Sequence, residues 1–143
     1  MKDVLIIDKT AQIKSALARQ DFSTLEFHDE VAGLNAVSGK EPIVVLLHQN
    51  IMEERTAYYI KLLLESNTHS KIVVIGSAIG EVEQLNCLLA GAKGYQDLDK
   101  LSVYADKLVT VIGDGEAWIT RRMTATLLDS LRESNFQHTQ VEA

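Results

Sequence analysis

Three short apolar runs stand out along the chain: Val4-Leu5-Ile6-Ile7, Ile43-Val44-Val45-Leu46-Leu47 and Ile72-Val73-Val74-Ile75. Each is rich in β-branched side chains, and none contains a polar position. A strand with one wet face alternates apolar and polar residues. An unbroken run predicts instead a strand of a parallel sheet covered on both faces. Thr24-Leu25-Glu26-Phe27-His28 does alternate, as an edge strand would, and Gly94-Tyr95-Gln96 supplies a short last strand.

The stretches between these runs carry helical spacing. Thr10 is placed to cap a helix bearing Ile13, Leu17 and Ala18. Val31, Leu34 and Val37 predict a second helix, closed by Gly39 and then Pro42. Tyr58, Tyr59, Leu62 and Leu63 mark a third. Val82, Leu85, Leu88 and Leu89 mark a fourth that ends before Gly91. Leu101, Tyr104, Leu108, Val111 and Ile112 mark a fifth, ended by Gly113. Strands alternating with helices imply right-handed crossovers. The predicted class is therefore α/β, a flavodoxin-like doubly wound five-stranded parallel sheet of strand order 2-1-3-4-5. After Gly115, Thr120 is placed as the N-cap of one more helix, along which Met123, Leu127 and Leu131 form an i, i+4, i+8 stripe. The expected organisation is one domain over residues 1–115, a linker and extra helix over 116–133, and a polar, disordered tail over 134–143.

Composition narrows the function classes. A chain of 143 residues and 15.8 kDa with 46% hydrophobic residues can fold as one domain without staples. No apolar run nears the ~18 residues of a membrane span, and the first stretch meets Asp8-Lys9 too early for a signal peptide. A cytoplasmic location and no membrane contact are expected. The single cysteine, Cys87, excludes a disulfide framework within the chain. Fourteen basic against twenty acidic residues, net −6, argue against a broad basic surface for nucleic acid. His28, His48, His69 and His138 lack metal-ligand spacing, so neither a metal nor another cofactor is expected. There is no nucleophile elbow and no catalytic triad, so no enzyme is expected either.

In a doubly wound sheet, ligands meet the carboxyl ends of the strands. Those positions hold Asp8 and Lys9, His48 and Gln49, Gly76 and Ser77, and Asp97 and Leu98. With Lys71-Ile72-Val73-Val74-Ile75, Ala90-Gly91-Ala92-Lys93-Gly94-Tyr95 and Gly113-Asp114-Gly115-Glu116-Ala117-Trp118-Ile119, the chain resembles the receiver domains of response regulators, in particular the NarL/LuxR-type branch. The resemblance covers residues 1–130. It implies a pocket built from an acid pair that holds Mg²⁺, an aspartate that accepts a phosphoryl group, a switch hydroxyl, a lysine and a switch aromatic. Carboxylates suit the metal because Mg²⁺ prefers hard oxygen ligands. Cations suit the transfer because charge spreads over the transferring oxygens.

Against that pattern Asp8 keeps the first acid and Tyr95 keeps the aromatic. Lys9 replaces the second acid, His48 the phospho-acceptor, Gly76 the switch hydroxyl (Ser77 follows one place later), and Leu98 the lysine. Losing nucleophile, lysine and metal ligand together removes the reaction. The resemblance thus implies a pseudo-receiver in two-component signal transduction and transcription regulation, working by dimerisation or by binding a protein partner. The resemblance implies that DNA is reached only through a C-terminal helix-turn-helix domain, which is not expected within these 143 residues. In that pseudo-receiver Lys9 is expected to supply the pocket's positive charge, pairing with Asp8 or Asp97. A second reading is a sensor of a nucleotide or other anion, bound in the altered pocket around Asp8, Lys9, His48 and Asp97 or at a dimer interface. Gly76 is expected to leave space that would let Tyr95 sit inward. Met123, Leu127 and Leu131 are expected to pack either on the domain or on a partner.

Overall fold

In a computed structural model the chain builds β1 (Lys2–Ile7), α1 (Gln12–Ala16), β2 (Phe22–Phe27), α2 (Glu30–Ser38) and β3 (Val44–His48). Two 3-10 turns follow, Gln49–Ile51 and Glu53–Arg55. Then come α3 (Thr56–Ser66), β4 (Lys71–Gly76), α4 (Glu81–Leu89), β5 (Gly94–Asp97), α5 (Leu98–Gly113) and α6 (Arg121–Glu142). The structure describes residues 2–39, 41 and 43–142, with side chains described at 3–39, 41 and 43–134. All strand pairs are parallel, in the order β2-β1-β3-β4-β5.

The unbroken apolar runs are buried on both faces, as two-sided coverage requires. Successive side chains of a strand point to opposite faces. Leu5, Ile7, Val45, Leu47, Ile72 and Val74 therefore join Val37, Tyr59, Ile60 and Leu63 of α2 and α3. Val4, Ile6, Val44, Leu46, Val73 and Ile75 join Ile13 of α1 and Leu101, Ala105, Leu108 and Ile112 of α5. Strand ends differ from the expected ones by one or two residues. β2 starts at Phe22, and β3 runs Val44–His48, which makes His48 a strand residue. On the helices, Val82 and Leu89 of α4 and Tyr104 of α5 are exposed, whereas Cys87 supplies the buried face of α4. Among the described residues no helix is long and apolar enough to cross a membrane.

The passage into α6 runs along the outer edge of β5. The Trp118 amide donates to the Lys93 carbonyl at 2.9 Å, and the Tyr95 amide donates to the Trp118 carbonyl at 3.2 Å. A Cβ on Gly94 would lie 2.1 Å from that carbonyl, so only glycine admits the strap. The indole Nε1 donates to Gln96 Oε1 at 3.0 Å, and the ring packs near Tyr104. Thr120 Oγ1 accepts the Met123 amide at 3.0 Å and so caps α6. Arg122 pairs with Glu81 of α4 at 2.8 Å. The expected apolar stripe divides along α6: Met123 is buried in its own domain, Leu127 is half-buried and Leu131 is exposed. Met123 is thus unavailable to a partner. The backbone of α6 stays helical through the stretch expected to be a tail; side chains from residue 135 onward lie outside those described.

Candidate functional site

Register brings the strand-end residues together. Ile7 pairs with Leu47, His48 with Ile75, and Gly76 with Asp97, so Asp8, His48, Gly76 and Asp97 surround the carboxyl ends of the four strands from β1 to β5.

Asp8 is fully buried. Its Oδ1 accepts the Thr10 amide at 2.9 Å, the Thr10 hydroxyl at 2.8 Å and Asn50 Nδ2 at 2.9 Å; Oδ2 accepts the Ile13 amide at 3.0 Å. Burial alone would raise its pKa, but the hydrogen bonds from Ile13, Asn50 and Thr10 outweigh it and hold the carboxyl below its ordinary range. The Ile13 amide is an orphan donor of the first turn of α1, whose N-cap residue, Ala11, has no acceptor side chain. Thr10 therefore does only part of the expected capping: its Oγ1 takes the Gln12 amide at 3.3 Å, and Asp8 takes the next.

His48 is 7% exposed. Its Nδ1 lies 3.0 Å from the Asn50 amide, which can only donate, so Nδ1 bears no proton. The neutral ring then carries its proton on Nε2 and donates it to Gln12 Oε1 at 2.9 Å. Burial pushes the imidazole pKa down against a smaller upward pull from Asp8. Asn50 closes the circuit, because its Nδ2 donates to Asp8 at 2.9 Å, while its Oδ1 accepts the Lys9 amide at 3.2 Å. Asp8, Thr10, Gln12, His48 and Asn50 thus form a hydrogen-bonded ring.

Lys9 contributes its backbone to this ring. Its side chain is exposed and makes no ion pair among the described residues, so the expected pairing with Asp8 or Asp97 is absent. The Asp8 carboxylate is held by four dipolar donors, not by an ammonium group.

The β4–β5 side is built differently. Behind Gly76 there is no empty space. A Cβ there would meet Ile79 Cδ1 at 2.6 Å and Gln49 Oε1 at 3.1 Å, which corrects the expected gap. Tyr95 is half-buried, with its hydroxyl donating to Asp97, 3.3 Å from the Gly76 carbonyl and 3.4 Å from the Ile79 amide. Burial first, then the bond to Asp97, push its pKa well above the ordinary tyrosine range. Ser77 is exposed, and Leu98, the first residue of α5, packs against the α1/α5 core cluster. Gln49 donates to Glu83 at 3.0 Å.

These residues do not fit a Mg²⁺ ion. A hard cation needs oxygen lone pairs aimed into open space. Here four protein donors occupy the oxygens of Asp8, and the neighbouring acid position carries a cation. Among the described residues no group of three or more His, Cys, Asp or Glu can hold a metal. Nor is a nucleophile available on His48. One ring nitrogen accepts from Asn50 and the other carries a donated proton.

Sequence reasoning placed Asp8, His48 and Gln49 at one site but missed Asn50, Gln12 and Ile79, which join or fill it. Asn50 left the clearest trace, an amide side chain two residues past His48 in a tight turn.

No protein-family model matches the chain, and no curated protein sequence matches it. Solved structures do match in fold. The isolated REC domain of RcsB from Salmonella enterica serovar Typhimurium, in the apo form, superposes with a TM-score of 0.74 at 16% identity, over 90% of this chain and 99% of that one. A LuxR-family two-component response regulator from Aurantimonas sp. SI85-9A1 gives 0.73 at 12% identity, over 90% and 96%. A response regulator from Thermotoga maritima gives 0.62 at 20% identity, over 77% and 98%. The fold is that of response-regulator receiver domains.

Proposed function

We propose that the chain is a receiver-like regulatory module of a two-component response regulator of the NarL/LuxR type, one that signals through contacts and without phosphorylation. One observation carries this reading: the phospho-acceptor position holds a buried histidine whose two ring nitrogens are both engaged, at 3.0 Å by Asn50 and at 2.9 Å by Gln12. Asp8 with its four donors and Leu98 packed against the core agree with it. A protein partner or a second copy has surface to use, because Leu128 and Leu131 of α6 and Val82 and Leu89 of α4 are exposed. Contact with DNA would require a separate helix-turn-helix domain. The test is intact mass after incubation with acetyl phosphate and Mg²⁺. The mass should not change; a stable adduct of about 80 Da, one phosphoryl group, would refute the reading.

A second reading, a sensor of a nucleotide or other anion, is favoured by the exposed side chain of Lys9 beside the pocket. A rise in melting temperature at saturating ligand supports it, and a flat thermal-shift screen counts against it.

A further inference from the structure

The ring at the strand ends contains one imidazole, and its bonding depends on its protonation. We propose that His48 is an acid-sensitive latch: neutral, it holds the turn after β3 against β1 and α1, and protonated, it releases Asn50 and opens the strand-end pocket.

The geometry permits one arrangement. The Asn50 amide points at Nδ1 from 3.0 Å, and Gln12 Oε1 faces Nε2 from 2.9 Å. Protonation would place an N–H on Nδ1 opposite the Asn50 N–H, donor against donor. That contact must break, and Asn50 is the hub. The same residue donates to Asp8 at 2.9 Å and accepts from the Lys9 amide at 3.2 Å. Its release therefore loosens the contacts to His48, Asp8 and Lys9 together.

The surroundings do little to stabilise a charged ring. Asp8 is the charged group facing it, and its carboxylate is already shared among Thr10, Ile13 and Asn50. Towards His48, α1 presents the neutral Gln12, β4 presents Ile75, and the turn after β3 presents Gln49 and Asn50, both neutral. The Lys9 side chain is exposed. Burial at 7% exposure denies the ring water as an alternative partner.

Amide exchange by NMR on the full chain tests the latch. Protection of the Asn50 amide should fall roughly tenfold per pH unit below about pH 6.5, as one proton coupled to opening requires. Protection of Leu46, in the middle of β3, should hold. In His48→Asn a short carbonyl can still accept the Asn50 amide without titrating, so protection there should not vary with pH. Nitrogen-15 shifts of the wild-type ring should place the proton on Nε2, a readout that needs no variant. The latch is overturned if Asn50 protection in the wild type is flat from about pH 7 to about pH 5, if Leu46 falls in parallel, or if the proton sits on Nδ1.

Discussion

The two sides of the strand-end pocket depart from the receiver pattern in opposite ways. On the β1–β3 side the residues are polar and buried, and each is tied to another: Asp8 to Asn50 and Ile13, His48 to Asn50 and Gln12. On the β4–β5 side the changed positions are apolar or bare, and they are filled: Ile79 occupies the volume against Gly76, and the half-buried Leu98 packs against the core. The difference follows from desolvation. A carboxylate kept inside must find donors, because leaving it unpaired costs far more than any single packing contact contributes. A position that has lost its polar group needs only to be packed.

That contrast is exposed to direct test. Asp8→Ala should be the most damaging change, leaving the Thr10, Ile13 and Asn50 donors without an acceptor; a loss of about 3 kcal/mol or more in urea unfolding is expected. A loss under about 1 kcal/mol would mean that water replaces the carboxylate and that the two sides are alike. On the packed side Gly76→Ala should cost about 1–3 kcal/mol by overpacking. Ile79→Val in that background should recover part of it, because it removes the Cδ1 lying 2.6 Å from the new Cβ; additive losses in the double-mutant cycle would show that the clash lies elsewhere.

Acid should separate the sides as well. The folded pKa of His48 is depressed, so the neutral ring contributes stability above its ordinary 6.5, and that contribution is lost as pH falls through the depressed value. Asp8 is depressed too; its contribution, complete above the ordinary 3.8, is lost as pH falls through its lower value. Melting temperature should thus decline in two stages, and His48→Asn should remove the upper one alone. The smallest effect should come from Arg122→Ala. Its ion pair with Glu81 is exposed at 81% and 50%, which places the loss at or below about 0.5 kcal/mol in the same assay.

Much of the fold was legible because burial writes itself into composition. Ile72-Val73-Val74-Ile75 reads as a two-sided strand without reference to any other part of the chain. Boundaries were less legible where a polar residue ends a strand. His48 reads as loop by chemistry and is strand by pairing. On α4 the apolar residues Val82 and Leu89 drew the stripe to the wrong face, since nine residues carry too few positions to fix a face. The site divides in the same way. Positions at the strand ends follow from register, whereas partners follow from loop paths. Lys9 beside Asp8 suggests an ion pair, yet consecutive residues leaving a strand diverge. The groups that meet Asp8 come instead from Thr10 and Ile13 and from Asn50, 42 residues away.

The crossing of Trp118 over Gly94 also affects how copies of the molecule could associate. With the start of β5 already hydrogen-bonded from outside, the flank of the sheet left uncovered along its length among the described residues is that of β2. Growth of stacked sheets needs two such flanks on every subunit. Backbone pairing between copies would therefore stop at two, giving a closed pair where an uncovered sheet could extend into a fibre.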